Sequence, residues 1–226
     1  MSAYVFFFKK PKPIRNLLSV NTDIIQPYYG QNKLDKERHS DIIVKEKQLE
    51  EVMRIETFEN TIGVDEYIEK YVNVEEFLEY CKVCKNYNKI WACPSFDFDP
   101  LDYWKKYNNF YVIGKKIYSE EVTSESEWKE IYYGEKKKLS EFLYEKEKEK
   151  PGSISLCAGS CDICLNIGCT RITGGPCRNP DKMRYSIESL GGNVGLTADK
   201  LLGIELKWLQ ESTIPEYFVL VGGLLY

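Results

Sequence analysis

The sequence predicts an α+β domain, a mixed sheet with helices packed on it and cysteine-rich metal-binding loops. Three observations predict it. Strand-like and helix-like segments alternate along the chain. The stretch NFYVIGKKIY, Asn109 to Tyr118, is dense in β-branched and aromatic residues and reads as a clear strand. All 8 cysteines fall in two short stretches instead of being scattered through a core.

The elements follow in order. Residues 1–40 lack sustained periodicity and contain Pro11, Pro13, Pro27 and Gly30, which predicts an irregular N-terminal extension. Residues 41–226 then form a single cysteine-rich metal-binding domain. Val52 to Phe58 alternates weakly and reads as a strand. Ile62 to Tyr71 and Glu75 to Tyr80 read as helices, the second with Asn73 as N-cap and Glu76 as its capping-box partner. That helix delivers the chain into Cys81.

After the Asn109–Tyr118 strand, Ser124 and Ser126 are candidate caps for a long helix from Trp128 to Lys150. Trp128, Ile131, Tyr132, Leu139, Phe142 and Leu143 form its apolar stripe, and Pro151-Gly152 ends it. The EKEKEK run at its end reads as a solvated tip. Ser153 to Cys157 is a short strand leading into the second cysteine stretch. Tyr217 to Tyr226 is a last strand despite Gly222 and Gly223.

With 43% hydrophobic and 29% charged residues, the 226-residue chain has ordinary globular composition. A net charge of -4 argues against a general nucleic-acid partner. No apolar run approaches the roughly 20 residues that span a bilayer. In MSAYVFFFKKPKP the lysines follow the apolar run, the reverse of a secretory signal. The expected location is the cytoplasm, with no membrane partner, where thiols stay reduced and clustered cysteines point to metal or redox chemistry. The single histidine, His39, lies far from both stretches and reads as an exposed loop residue without a role.

Cys81 and Cys84 form a C-x-x-C pair, and Cys93 stands close enough in sequence to loop back as a third donor. Cys161, Cys164, Cys169 and Cys177 supply four donors on a loop punctuated by Gly168, Gly174, Gly175 and Pro176. Thiolates suit iron–sulfur clusters and zinc, not magnesium or calcium. The simplest partition gives these four one site. Cys81, Cys84 and Cys93 form the other, completed by Cys157 or by a non-protein ligand.

Other readings fit less well. Cys157, Cys161 and Cys164 match the C-x3-C-x2-C of radical S-adenosylmethionine enzymes, but too little chain follows to complete a barrel. A dithiol oxidoreductase opens a helix with its cysteine pair, whereas Cys81 and Cys84 close one. A nucleic-acid zinc ribbon would use Lys82, Lys85 and Lys89 against the acidic balance of the chain. The Cys93-Pro94 step favours iron–sulfur over zinc, and with it a redox partner protein. Arg178 and Arg184 read as ion-pair partners of Asp181 or Glu188, in preference to anion ligands. No phosphate loop, dinucleotide fingerprint or acid–base pair of distinctive spacing assigns a reaction.

The pattern Cys81, Cys84, Tyr87, Trp91, Cys93, Pro94 resembles the family of predicted metal-binding proteins, a microbial domain of unknown function. So do Ala158, Gly159, Cys161, Cys164 and Cys169, then Pro176, Cys177, Arg178 and Pro180. Met183, Arg184, Ser186, Glu188 and Gly191 complete the likeness, which covers roughly residues 70–226. The resemblance implies metal binding by both cysteine groups and no particular reaction. Cys157 stands outside the family pattern, and the Cys169 to Cys177 interval is longer than the pattern has it.

Overall fold

The computed structural model describes residues 53–120, 122, 124–207 and 215–226. The proposed N-terminal extension and His39 lie outside the described residues. In chain order the elements are β1 (Ile55–Gly63), α1 (Val64–Tyr71), α2 (Val74–Lys82), α3 (Pro100–Trp104), β2 (Asn109–Tyr118) and α4 (Glu125–Glu149). They continue with β3 (Ile154–Leu156), 3-10 turns at Thr170–Thr173 and Glu188–Leu190, α5 (Val194–Leu202) and β4 (Tyr217–Leu225).

The α+β class is as the sequence predicts. The four strands stand in the order β1-β2-β4-β3, and every ladder is antiparallel. Parallel pairing is confined to a single bridge between Cys157 and Ser186.

Strand β2 shows why one sheet needs two coats. Successive side chains point to opposite faces. Phe110 and Val112 enter a core with Tyr67, Trp104, Leu190 and Ala198, so α1, α3 and α5 cover that side. Ile113 and Ile117 face the other way, against Leu139 and Leu143 of α4. Gly114 leaves the space that Leu202 fills, since a Cβ there would stand 2.7 Å from Leu202 Cδ1.

The differences from expectation have local causes. Strand β1 runs on through Ile62, which pairs with Phe110, so α1 starts only at Val64. Ser124 does cap α4, accepting from the Glu127 amide at 3.2 Å, and the helix therefore begins three residues early. Phe142 of the predicted stripe is exposed, while the charged Glu135 and Lys136 are buried. Helices α3 and α5 were not predicted. Each is short and capped by one side chain, Asp99 and Asn193 respectively. Trp104 at the end of α3 donates its indole N–H to Leu190 O at 2.9 Å and so holds the Glu188–Leu190 turn.

Candidate metal centre

Helix α2 starts at Asn73, whose side chain accepts from the Glu76 amide. Glu76 returns to the Asn73 side-chain amide at 3.0 Å, a variant of the expected capping box. The helix ends at Lys82. Cys81 therefore sits in its last turn, and the Cys84 amide continues that turn to Cys81 O at 3.0 Å. As the sequence implies, this pair closes a helix. From there the chain folds back on itself at Asn88, whose φ is 57°. The Asn88 backbone N–H donates to Pro94 O at 2.8 Å, and the Asn88 side-chain Oδ1 accepts from the Ser95 amide and hydroxyl. That reversal returns Cys93 toward Cys81 and Cys84.

The second loop leaves the sheet at the end of β3. The Cys157 amide bonds to Tyr185 O at 2.8 Å, and its thiol donates toward Gly159 O and Arg184 O, both at 3.3 Å. Gly168 and Gly174, at φ of 72°, supply left-handed turns on either side of Cys169, a conformation glycine adopts without strain. Asn179 donates to Cys164 Sγ at 3.4 Å.

Arg171, two residues after Cys169, fastens the two loops together. Its guanidinium donates to Ile90 O at 2.9 Å, to Cys93 O, to Ser95 O and to Asn88 Oδ1 at 3.2 Å. It also lies 5.2 Å from the Trp91 ring, and the Trp91 indole N–H reaches Gly175 O at 3.2 Å. The sequence reading passed over Arg171, although it is a lone cation in a thiol-rich loop, which is a usable signal.

All eight cysteines are free and half-buried. Burial, then Glu188 and Cys84, pushes the Cys81 thiol up to about 12. Burial also raises Cys93, reinforced by Cys84, Cys81 and Cys161 and opposed by Arg171. Burial raises Cys161 as well, with Cys164 and Cys177 among its charged neighbours. Cys157 is raised by burial, against Lys136 and with Cys161. The structure thus gathers Cys81, Cys84 and Cys93 into one group. Arg171 and Trp91 tie the second cysteine loop to this group.

The donors are thiols only, which fits zinc or iron–sulfur chemistry. Among the described residues, no group of three or more Cys, His, Asp or Glu could hold a metal ion as it stands.

The two arginines are not paired as the sequence suggested. Arg178 donates to Gly168 O at 2.6 Å. Arg184 makes a two-pronged contact with Glu147, at 2.7 and 2.6 Å, and reaches Asp181 only through its backbone oxygen at 2.8 Å. Glu147, read as part of a solvated tip, is thus half-buried. Burial opposes its ionisation, but hydrogen bonds from Arg184 and Ser155 outweigh it and hold the carboxyl below its usual range. A partner 37 residues away leaves no local trace in the sequence.

The family described as "Predicted metal-binding protein (DUF2284)" matches residues 68–226, which takes in both loops and Arg171. The chain belongs to this family. No curated protein and no solved structure matches it. Among the described residues, no helix is long and apolar enough to cross a membrane.

In this member of the predicted metal-binding family a pocket adjoins the first thiol group. It is lined by Cys81, Cys84 and Cys93, and also by Lys136, Asp162 and Glu188. Burial works against the charge of Lys136, but Asp162, to which it is hydrogen-bonded, keeps it protonated. Lys136 also donates to Ser160 O at 2.7 Å. It lies four residues after Tyr132 and three before Leu139, inside the apolar stripe of α4, where its spacing could have marked it.

Glu188 is raised by burial from 4.5 to about 7. The folded protein therefore binds a proton that the unfolded chain has released, and stability falls as pH rises from about 4.5 to about 7. The full difference is on the order of 3 kcal/mol. Glu188→Gln removes it. Thermal unfolding across that range is expected to show wild type losing several degrees relative to the variant, with parallel curves arguing against a buried, proton-binding Glu188.

Proposed function

We propose that this protein carries iron–sulfur clusters in the cytoplasm and exchanges electrons with a redox partner protein. The observation that supports this most is the tie between the two cysteine loops, where Arg171 of the second donates to Ile90 O, Cys93 O and Ser95 O of the first and Trp91 of the first donates to Gly175 O of the second. Neighbouring clusters of the 4Fe–4S type, each held by thiolates, give electrons a short path through the protein. Cys161, Cys164, Cys169 and Cys177 hold one cluster. Cys81, Cys84 and Cys93 would hold the other, with Cys157 or an outside ligand in the fourth position. When bound, such a cluster would supply one-electron transfer. The chain contributes the thiols, the reduced solvent access of the half-buried loops and the Arg171 charge beside Cys93.

The surroundings favour a docking role. Val83, Ile163, Leu165, Ile167 and Ile172 are exposed aliphatic residues on or beside the two loops. An apolar rim of this kind suits a partner that must come close to the metal.

Anaerobic purification followed by metal and sulfide analysis tests the reading. The expected protein is brown, absorbs broadly near about 400 nm and bleaches with dithionite. Cys93→Ala and Cys177→Ala are each expected to remove roughly half of the iron, as two clusters of equal iron content require. A colourless protein with about one zinc per four thiolates, unfolding on chelation, would replace this reading with a zinc-stabilised interaction module.

A further inference from the structure

We infer that the open cleft between the last turns of α4 and the sheet binds a small aromatic carboxylate, its ring against Phe142 and its carboxylate on Lys150. The inference is independent of metal binding, because no cysteine lines this cleft.

The cleft holds about 660 Å³, within the range of small-molecule sites. Its floor is Tyr111 of β2 and Leu224 of β4, which stand opposite each other in the ladder. Its wall is one stripe of α4, where Phe142, Lys146 and Glu149 recur at helical spacing, and Lys150 closes the helix beside them. Lys146 stands ten residues beyond Lys136, about 15 Å further along the helix axis. The cleft therefore lies toward the end of α4 away from the thiols. Phe142 continues the apolar stripe that Leu139 and Leu143 bury, yet it is 38% exposed. A ring in line with a core stripe but without cover is a contact surface for an apolar body.

Charge selects the other end of the ligand. Lys146 pairs with Glu149 at 3.3 Å. Glu59 lies on β1, two strands from Leu224 and so roughly 10 Å across the sheet. The Lys150 ammonium lies 3.0 Å from the centre of the Tyr226 ring, and among the described residues it has no carboxylate partner. A cation held against an aromatic face beside apolar walls is placed to take a carboxylate. An amine would meet that same cation, with Lys146 one turn away.

Calorimetry on the full chain, as isolated, tests this with three probes of similar size: phenylacetate, phenylethanol and phenylethylamine. Phenylacetate is expected to bind at least roughly tenfold more tightly than phenylethanol, which corresponds to about 1.4 kcal/mol. Phenylethylamine is expected to bind more weakly than the alcohol. Amide resonances of Tyr111 and Leu224 shift with phenylacetate. Lys150→Gln is expected to bring phenylacetate down to the level of the alcohol, and Phe142→Ala to weaken both. Lys150 and Phe142 are exposed, so neither change removes a core contact. The inference is overturned if phenylacetate does not bind, binds no better than phenylethanol, or keeps its advantage in Lys150→Gln. The first two outcomes need only wild-type protein. Metal content, measured on the same sample, reports on the iron–sulfur reading and leaves this comparison untouched.

Discussion

Arg171→Met is expected to lose metal from the first thiol group and to destabilise the protein by roughly 2–4 kcal/mol. One guanidinium serves four acceptors on the first loop, namely Ile90 O, Cys93 O, Ser95 O and Asn88 Oδ1. Methionine keeps the unbranched apolar stem and removes all four bonds. The carbonyls at the loop's edge regain water, so the cost stays below the sum of four fully buried bonds. The Cys93 carbonyl then loses its tie to the second loop. Lysine is an informative intermediate, because a single ammonium cannot reproduce the planar fork. Arg171→Lys should therefore keep part of the stability and part of the metal. Urea unfolding and metal stoichiometry read the two effects separately. Full metal content with an unchanged unfolding midpoint in Arg171→Met would show that the loops do not need this bolt.

The parts of this fold legible in the sequence are those whose cause lies within a few residues. Asn109 to Tyr118 alternates toward two covered faces, and its ends are those predicted. Asn73 and Ser124 announce helix starts because a cap acts on an amide three residues away. The expected strand stops at Phe58, because Glu59 to Gly63 is extended only through pairing with β2, which no local pattern contains. The same limit hid Glu147, whose burial depends on Arg184. For the site, residue type and spacing picked out the cysteines as candidates. Their arrangement was hidden, because Arg171 and Trp91 join segments some eighty residues apart. Buried charges were the hardest to foresee. Lys136 and Glu188 violate the expected pattern: Lys136 is accommodated by Asp162 and Ser160 from another segment, and burial raises the pKa of Glu188.

Gly223→Ala is expected to have the largest effect of any single methyl group considered, on the order of 3–5 kcal/mol, out of a total stability of roughly 5–15. A glycine pair in a last strand looks like a weakness, since glycine leaves nothing to pack and costs entropy. Here the missing side chain is the requirement. A Cβ on Gly223 would meet Tyr111 O and Phe110 Cε2, each at 2.4 Å. Neither can yield. Tyr111 O belongs to the backbone of the adjoining strand, and the Phe110 ring is wedged edge-on against Tyr67 and Trp104, at 4.7 and 5.2 Å between centroids. Strand β4 is paired on both sides, Gly223 lying opposite Val112 and Leu156, so it cannot slide away. The damage should reach the site, because β3 hands the chain directly to Cys157. Gly134→Ala is the matching control. It adds the same methyl group to α4 with nothing within 4 Å, and replaces a poor helix former. That change should raise stability by about 0.5–1 kcal/mol. Thermal unfolding of both variants separates the two roles of glycine. If Gly223→Ala unfolds at the wild-type temperature, the close approach of β2 to β4 is wrong, and with it the seat from which the second cysteine loop departs.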